Sequence, residues 1–164
     1  MIYILDIVNE QLIESEIVPL SSDHIPAKKS GWNFNWSQIV NERTCSCYAL
    51  RTMNKRDKIE GVLALKVENG MLIMDVLELA PHNIGSQNKK FNYVAGCLIA
   101  FACRESFKIE GDYRGFLTFV SKTKLINWYQ NKYGAKQALG QRMYIDWETG
   151  QRLIEEYLNR QKID

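Results

Sequence analysis

The stretch Ala80–Phe107, APHNIGSQNKKFNYVAGCLIAFACRESF, decides the fold. It passes from a strand exit, through a polar loop with a Gly and two lysines, into a run from Tyr93 to Cys103 that is apolar or small on every side. At about 11 residues that run is too short for a bilayer, which takes ~20. A helix apolar all round belongs inside a fold, covered on more than one face. Gly96 within it costs about 1 kcal/mol relative to Ala, so its place predicts a close approach by some neighbour. Lys89 and Lys90 stand beside the unpaired N–H groups of the helix start, a combination that attracts phosphate.

Upstream, Ile2–Val8 reads as a strand, Glu10–Leu20 fits no single period, and Trp32, Phe34 and Trp36 crowd three aromatics into five residues. These anchor the N-terminal segment in the core, or Trp32 and Trp36 wall a substrate pocket. Ser37–Glu42 completes a short helix. Thr44–Met53, Gly61–Glu68 and Met71–Leu79 then read as a three-strand meander, with Asn69-Gly70 as a hairpin turn and Pro81 as the stop. Strict alternation in the third strand puts Leu72, Met74, Val76 and Glu78 on one face, and Met71, Ile73, Asp75, Leu77 and Leu79 on the other. Downstream, Gly115–Val120 is a strand, Ser121–Lys132 a helix, Ala135–Leu139 and Gln141–Ile145 two short strands, and Asp146 caps a last helix. That helix buries Leu153, Ile154, Tyr157 and Leu158 and leaves Glu155, Glu156 and Arg160 as a solvated face. The order predicts an α/β fold of mixed α+β type, a single domain over residues 1–164 with a twisted sheet of about six to seven strands flanked by helices.

Composition narrows the function classes. With 21 Lys and Arg against 19 Asp and Glu, the net charge is +2, and no dense basic block argues for nucleic acid as a partner. Arg51, Lys55, Arg56 and Lys58 come nearest and read as a solvated hairpin. Cys45 and Cys47 share a strand face, Cys97 and Cys103 lie on different faces of the buried helix, and no CxxC pair exists; these are buried thiols of a cytosolic protein, with no metal site expected. The start, MIYILDIVNEQ, lacks the marks of a signal peptide, so the expected location is cytoplasmic, with no membrane partner.

From Thr44 to Ile145 the order of elements resembles the GNAT acyltransferase superfamily. Leu79-Ala80-Pro81 is similar to the Val-x-Pro-like end of that family's fourth strand. Lys90-Phe91-Asn92-Tyr93-Val94-Ala95 aligns with its Q/R-x-x-G-x-G/A pyrophosphate loop, with Tyr93 where the family has Gly and with a longer segment from Pro81 to Lys90. Trp128-Tyr129-Gln130-Asn131-Lys132-Tyr133-Gly134 resembles its F-Y-E-x-x-G-F pattern. The resemblance implies acetyl-CoA as co-substrate, without metal, held by Leu79, Ala80, Lys89, Lys90, Asn92, Tyr93, Val94, Ala95 and Gly96. It implies Tyr129 as the acid toward the leaving thiolate, with Tyr133 as a rival position. Amine attack also needs a proton acceptor: Glu78 is the first candidate, Asp75 the alternative, and the N–H of Leu79 or Ala80 would polarise the thioester carbonyl. The expected function is a CoA-dependent N-acyltransferase acting on a small-molecule or peptide amine, with a homodimer left open. The alternative is a non-catalytic CoA-sensing or protein-interaction module of the same fold.

Overall fold

The computed structural model describes residues 1–85 and 87–161. Strands β1 (Ile2–Asp6) and β2 (Gln11–Pro19) form an antiparallel hairpin in which Ile4 faces Ile13. The stretch after Glu10 that fits no clear period in sequence is thus a nine-residue strand. A single-turn helix, Lys28–Ser30, leads to α1 (Trp36–Glu42), whose Asn35 cap accepts from Gln38 N at 3.1 Å. The meander follows as β3 (Ser46–Thr52), β4 (Gly61–Glu68) and β5 (Met71–Leu79). Two residues of β6 (Phe91–Asn92) then precede α2 (Val94–Ser106). The remainder is β7 (Leu117–Val120), α3 (Ile126–Tyr133), β8 (Lys136–Gln137), β9 (Arg142–Ile145) and α4 (Trp147–Leu153), which continues as a π-helical turn, Ile154–Leu158.

The strands make one mixed sheet in the order β6-β1-β2-β3-β4-β5-β7-β9-β8. Nine strands exceed the six or seven expected, because β2 shows no single period in its residues and β6 holds only two residues. The main core lies on the α2 face, where Leu50, Leu63, Leu98, Ile99, Leu117 and Met143 are buried. A smaller cluster of Trp32, Trp36, Val62, Ala64 and Ala80 covers the opposite face under α1. No helix among the described residues is long and apolar enough to cross a membrane.

Two local features place the site. Gly96 is pressed by the ring of Tyr157: a Cβ there would stand 2.2 Å from its Cε1. The close approach that the glycine predicts is therefore the π-helical turn docking on α2. The second feature is a bulge in β5. Ala64 pairs with Val76 but Leu65 with Met74, so Asp75 has no partner across the ladder. A bulge shifts the alternation by one and bends its strand. Leu72 and Met74 face α2, and beyond the bulge it is Leu77 and Leu79 that pack on that core, while Val76 and Ala80 join the opposite cluster. The expected grouping of Leu72, Met74, Val76 and Glu78 on one face is thereby corrected; nothing in the residue types of β5 signals the extra residue.

Candidate active site

β5 and β7 are the only parallel neighbours among the described strands, and they pair at two positions: Leu72 with Leu117, and Ile73 with Thr118. Beyond them β5 runs six residues further, bent by its bulge, while β7 stays with β9 through Val120 and Arg142. The splay opens a cleft of about 190 Å³, lined on one side by Met74–Leu77 and on the other by Phe119–Lys122, with Leu125, Tyr129 and Phe34 closing it.

Tyr129 enters this cleft from the first turn of α3. Its ring is held by Phe119, with centroids 4.7 Å apart, and by Trp128 at 4.9 Å. Burial pushes its phenol above the ordinary range, and no described group hydrogen-bonds its hydroxyl. Tyr133, the rival position, is 1% exposed in the main core. It packs against Tyr157 at 6.2 Å and does not line the cleft.

The β5 edge supplies donors. Ala80 N donates to Glu60 O at 3.0 Å, so it is spent, and the expectation that Ala80 polarises a carbonyl is corrected. In an antiparallel ladder such bonded positions alternate with open ones. The N–H groups of Leu77 and Leu79, opposite Leu63 and Gly61, therefore point away from β4, to the side where β7 has diverged. Leu77 lines the cleft, and Leu79 follows two residues further along the same edge.

Glu78 has a different task from the one expected. It is 6% exposed, and its carboxylate accepts from Asn33 N at 2.6 Å, Phe34 N at 3.2 Å and Trp36 Nε1 at 2.8 Å. It clamps the aromatic segment to the sheet on the face turned away by the bulge, with its lone pairs engaged. Trp36, fully buried, is part of that clamp and walls no pocket. The aromatic side chain in the cleft is Phe34, while Trp32 lines a separate groove. Asp75 is the carboxylate at the cleft, 3.4 Å from Lys66 Nζ. The four thiols stay protonated: burial raises Cys47 to about 11 and Cys97 and Cys103 to about 12. Among the described residues no cluster of His, Cys, Asp and Glu could hold a metal.

The loop before α2 is pinned from below. Asn83, buried, donates to Glu60 Oε1 at 3.1 Å and accepts from Phe91 N at 3.1 Å, and Lys90 N donates to His82 O at 2.9 Å. This fixes β6 against β1 and delivers Tyr93 as the cap of α2 with φ +76°. A side chain at such a φ costs about 1–2 kcal/mol; the backbone thus keeps the left-handed shape that a Gly adopts freely. The Tyr93 ring lies against Tyr157, with centroids 6.3 Å apart, and under the Arg160 guanidinium at 4.3 Å. Arg160, expected on a solvated face, therefore caps this loop, and its Nε is buried with no partner among the described residues.

The α2 terminus is electropositive. Asn92 Oδ1 accepts from Tyr93 N at 3.0 Å and from Lys89 Nζ at 3.4 Å. Burial, and the Lys132 ammonium close by, hold Lys89 below its ordinary range. Lys90 is turned off instead, with its ammonium over the Phe91 ring at 5.2 Å. The first intrahelical bond runs from Cys97 N to Tyr93 O, so the N–H groups of Val94, Ala95 and Gly96 lie outside the helix ladder. Four rings connect the two ends of the site: Tyr93, Tyr157, Tyr133 and Tyr129, at successive spacings of 6.3, 6.2 and 6.3 Å. Glu60, Asn83, Lys132, Tyr157 and Arg160 all escaped the sequence, because each acts through a partner tens of residues away.

Neither protein-family models nor curated proteins match the sequence. Solved structures do match the fold. AtaTR bound with AcCoA superposes with a TM-score of 0.62 at 10% identity, over 86% of this chain and 98% of that one; AtaT complexed with acetyl-methionyl-tRNAfMet gives 0.61 at 11%, over 86% and 99%. The KacTA–DNA complex gives 0.62 at 12% identity, over 87% and 99%. A variant of the spermidine N-acetyltransferase SpeG from Vibrio cholerae gives 0.55 at 12%, over 84% and 96%. The chain has the GNAT fold. These neighbours overturn the expected partners, a small-molecule or peptide amine with nucleic acid set aside. Structures sharing this fold carry tRNA in one case and DNA in another. A net charge of +2 averages over the whole surface and does not report where the cations gather.

Proposed function

We propose that the cleft between β5 and β7 transfers an acyl group from coenzyme A to an amine. The observation that carries this is Tyr129, a protonated phenol in a splay whose β5 edge presents the open N–H groups of Leu77 and Leu79. The acetyl-CoA bound to AtaTR and the N-acetyltransferase activity in the name of SpeG support it. Coenzyme A supplies the thioester that the amine attacks and the sulfur that departs. Lys89, Lys132 and the N–H groups of Val94, Ala95 and Gly96 hold its phosphate charge at the α2 terminus. The left-handed backbone at Tyr93 preserves the turn that brings those groups together, and Arg160 keeps the ring against Tyr157. Leu77 and Leu79 donate to carbonyl oxygens laid along β5. Tyr129 holds its proton through neutral pH, since burial moves it above the ordinary value of ~10, and gives it to the departing sulfur. Asp75 receives the proton of the incoming amine, directly or through water. The sheet runs unbroken from β1 to β9, which supports one acyltransferase domain over residues 1–164.

Two measurements test this. Acetyl-CoA at ~100-fold excess over Kd raises stability by about 2.7 kcal/mol, read as a shift in Tm. Tyr129→Phe keeps the ring contacts and that shift but slows thioester loss by ~100-fold or more, across an amine panel that includes aminoacylated RNA. Undiminished turnover in Tyr129→Phe removes Tyr129 as the acid, and the absence of any shift removes the coenzyme.

A further inference from the structure

The hairpin Arg51–Lys58, a solvated turn when read alone, is not alone in the fold. The loop after β2 folds down beside it. One groove of about 440 Å³ is lined by His24, Pro26, Trp32, Lys58, Ile59 and His82. A second, of about 250 Å³, is lined by Leu20, Ser21, His24, Arg51 and Arg56. The two share His24, Asp57 and Ile59, so they form one channel across the end of the sheet where β5 stops and β4 begins. Lys28 and Lys29 are exposed on its rim, between the lining residues Ala27 and Ser30. Two basic segments some thirty residues apart in sequence thus converge on one surface.

The channel's chemistry is specific. Glu60, 2% exposed, holds His82 Nε2 at 2.5 Å, which fixes the imidazole and leaves Nδ1 as its free nitrogen. Glu16 neutralises part of the Arg51 and Arg56 charge at 2.8 and 3.5 Å, but Lys28, Lys29 and Lys58 carry no ion pair among the described residues. Asp57 is the one exposed carboxylate in the lining; among cations it can accept from base amino groups. Basic side chains along a groove, with two imidazoles and the edge of the 8% exposed Trp32 between them, make a surface suited to unpaired nucleotides.

We propose that this channel binds single-stranded nucleic acid. It deepens the acyl-transfer proposal by supplying the surface that holds the carrier of the amine, and it rests on that proposal only for this last step.

The test uses the whole chain and a labelled RNA single strand of about 12 nucleotides, followed by anisotropy between about 50 and 200 mM salt, with a DNA strand of the same sequence alongside. Lys28→Glu with Lys58→Glu is compared with a charge-matched pair at the other end of the sheet, Lys108→Glu with Arg114→Glu. The expected result is a loss of ~10-fold or more in affinity for the channel pair alone. The slope of log K against log salt should become shallower by ~1.4, the share of two phosphate contacts on a single strand. RNA bound over DNA identifies the strand by its 2′-OH; equal binding keeps both as ligands. Equal losses in the two variant pairs, displacement by polyglutamate as readily as by RNA, or no binding at the lowest salt each overturn the proposal. The Tm shift with acetyl-CoA is recorded in every variant. Channel-dependent RNA binding without that shift leaves the channel standing and removes the acyl-transfer proposal, and the converse result does the reverse.

Discussion

At the scale of the residue, Glu78 shows how a carboxylate's neighbours assign its work. Read in a strand among apolar residues, it looks like the proton acceptor. In the fold three donors converge on it, two from the backbone of Asn33 and Phe34 and one from the Trp36 indole. Glu78→Gln offers one acceptor oxygen where two are used and turns an NH₂ toward donors. The expected loss is about 2 kcal/mol, because a buried donor left without a partner costs about 1–3 kcal/mol. Urea unfolding measures it, and the Phe34 edge of the cleft should loosen with it. Unchanged stability with lost turnover would return Glu78 to the role of base. Tyr93 makes the opposite point. It is not a Gly, yet its φ of +76° is one that a Gly adopts freely, with the Arg160 and Tyr157 contacts set against the strain.

At the scale of the element, α2 and the π-helical turn are a matched pair. Gly96→Ala places a methyl inside the Tyr157 ring, which cannot move freely because Tyr133 and Tyr93 pack on it. Overpacking of this kind costs about 1–3 kcal/mol, read as a lowered Tm. Gly96→Ala combined with Tyr157→Leu should recover part of that loss, and an additive result would show that the two sites are uncoupled. Elements with strong internal signals were legible. The apolar run of α2, the Asn69-Gly70 hairpin and the Asp146 cap, which accepts from Thr149 N at 2.9 Å, lie where residue chemistry places them. The β5 bulge was not, since a one-residue slip depends on the register with β4. Nor was β6, two residues whose identity as a strand comes from β1 beside them.

At the scale of the whole molecule, α2 is apolar all round and depends on cover from both sides. The sheet supplies one side, and Leu153, Ile154, Tyr157 and Leu158 supply the other. A chain ending at Ile145 should therefore lose cooperative unfolding and bind a hydrophobic dye such as ANS, while one ending at Gln161 unfolds in a single transition. A cooperative transition in the shorter chain would show that the C-terminal helix is dispensable. The order of elements was enough to find the fold. In the candidate site, the position of Tyr129 beside the cleft was legible from local sequence, whereas the convergence of Lys89 with Lys132, or of Tyr93 with Arg160, was not. The four tyrosine rings have a further consequence. Spaced at 6.2–6.3 Å, they lie close enough for excitation absorbed by one to be shared along the array and passed to Trp128, whose ring is 4.9 Å from Tyr129. The molecule thus carries its own optical reporter, in which an event at the helix terminus alters light emitted from Trp128, beside Tyr129.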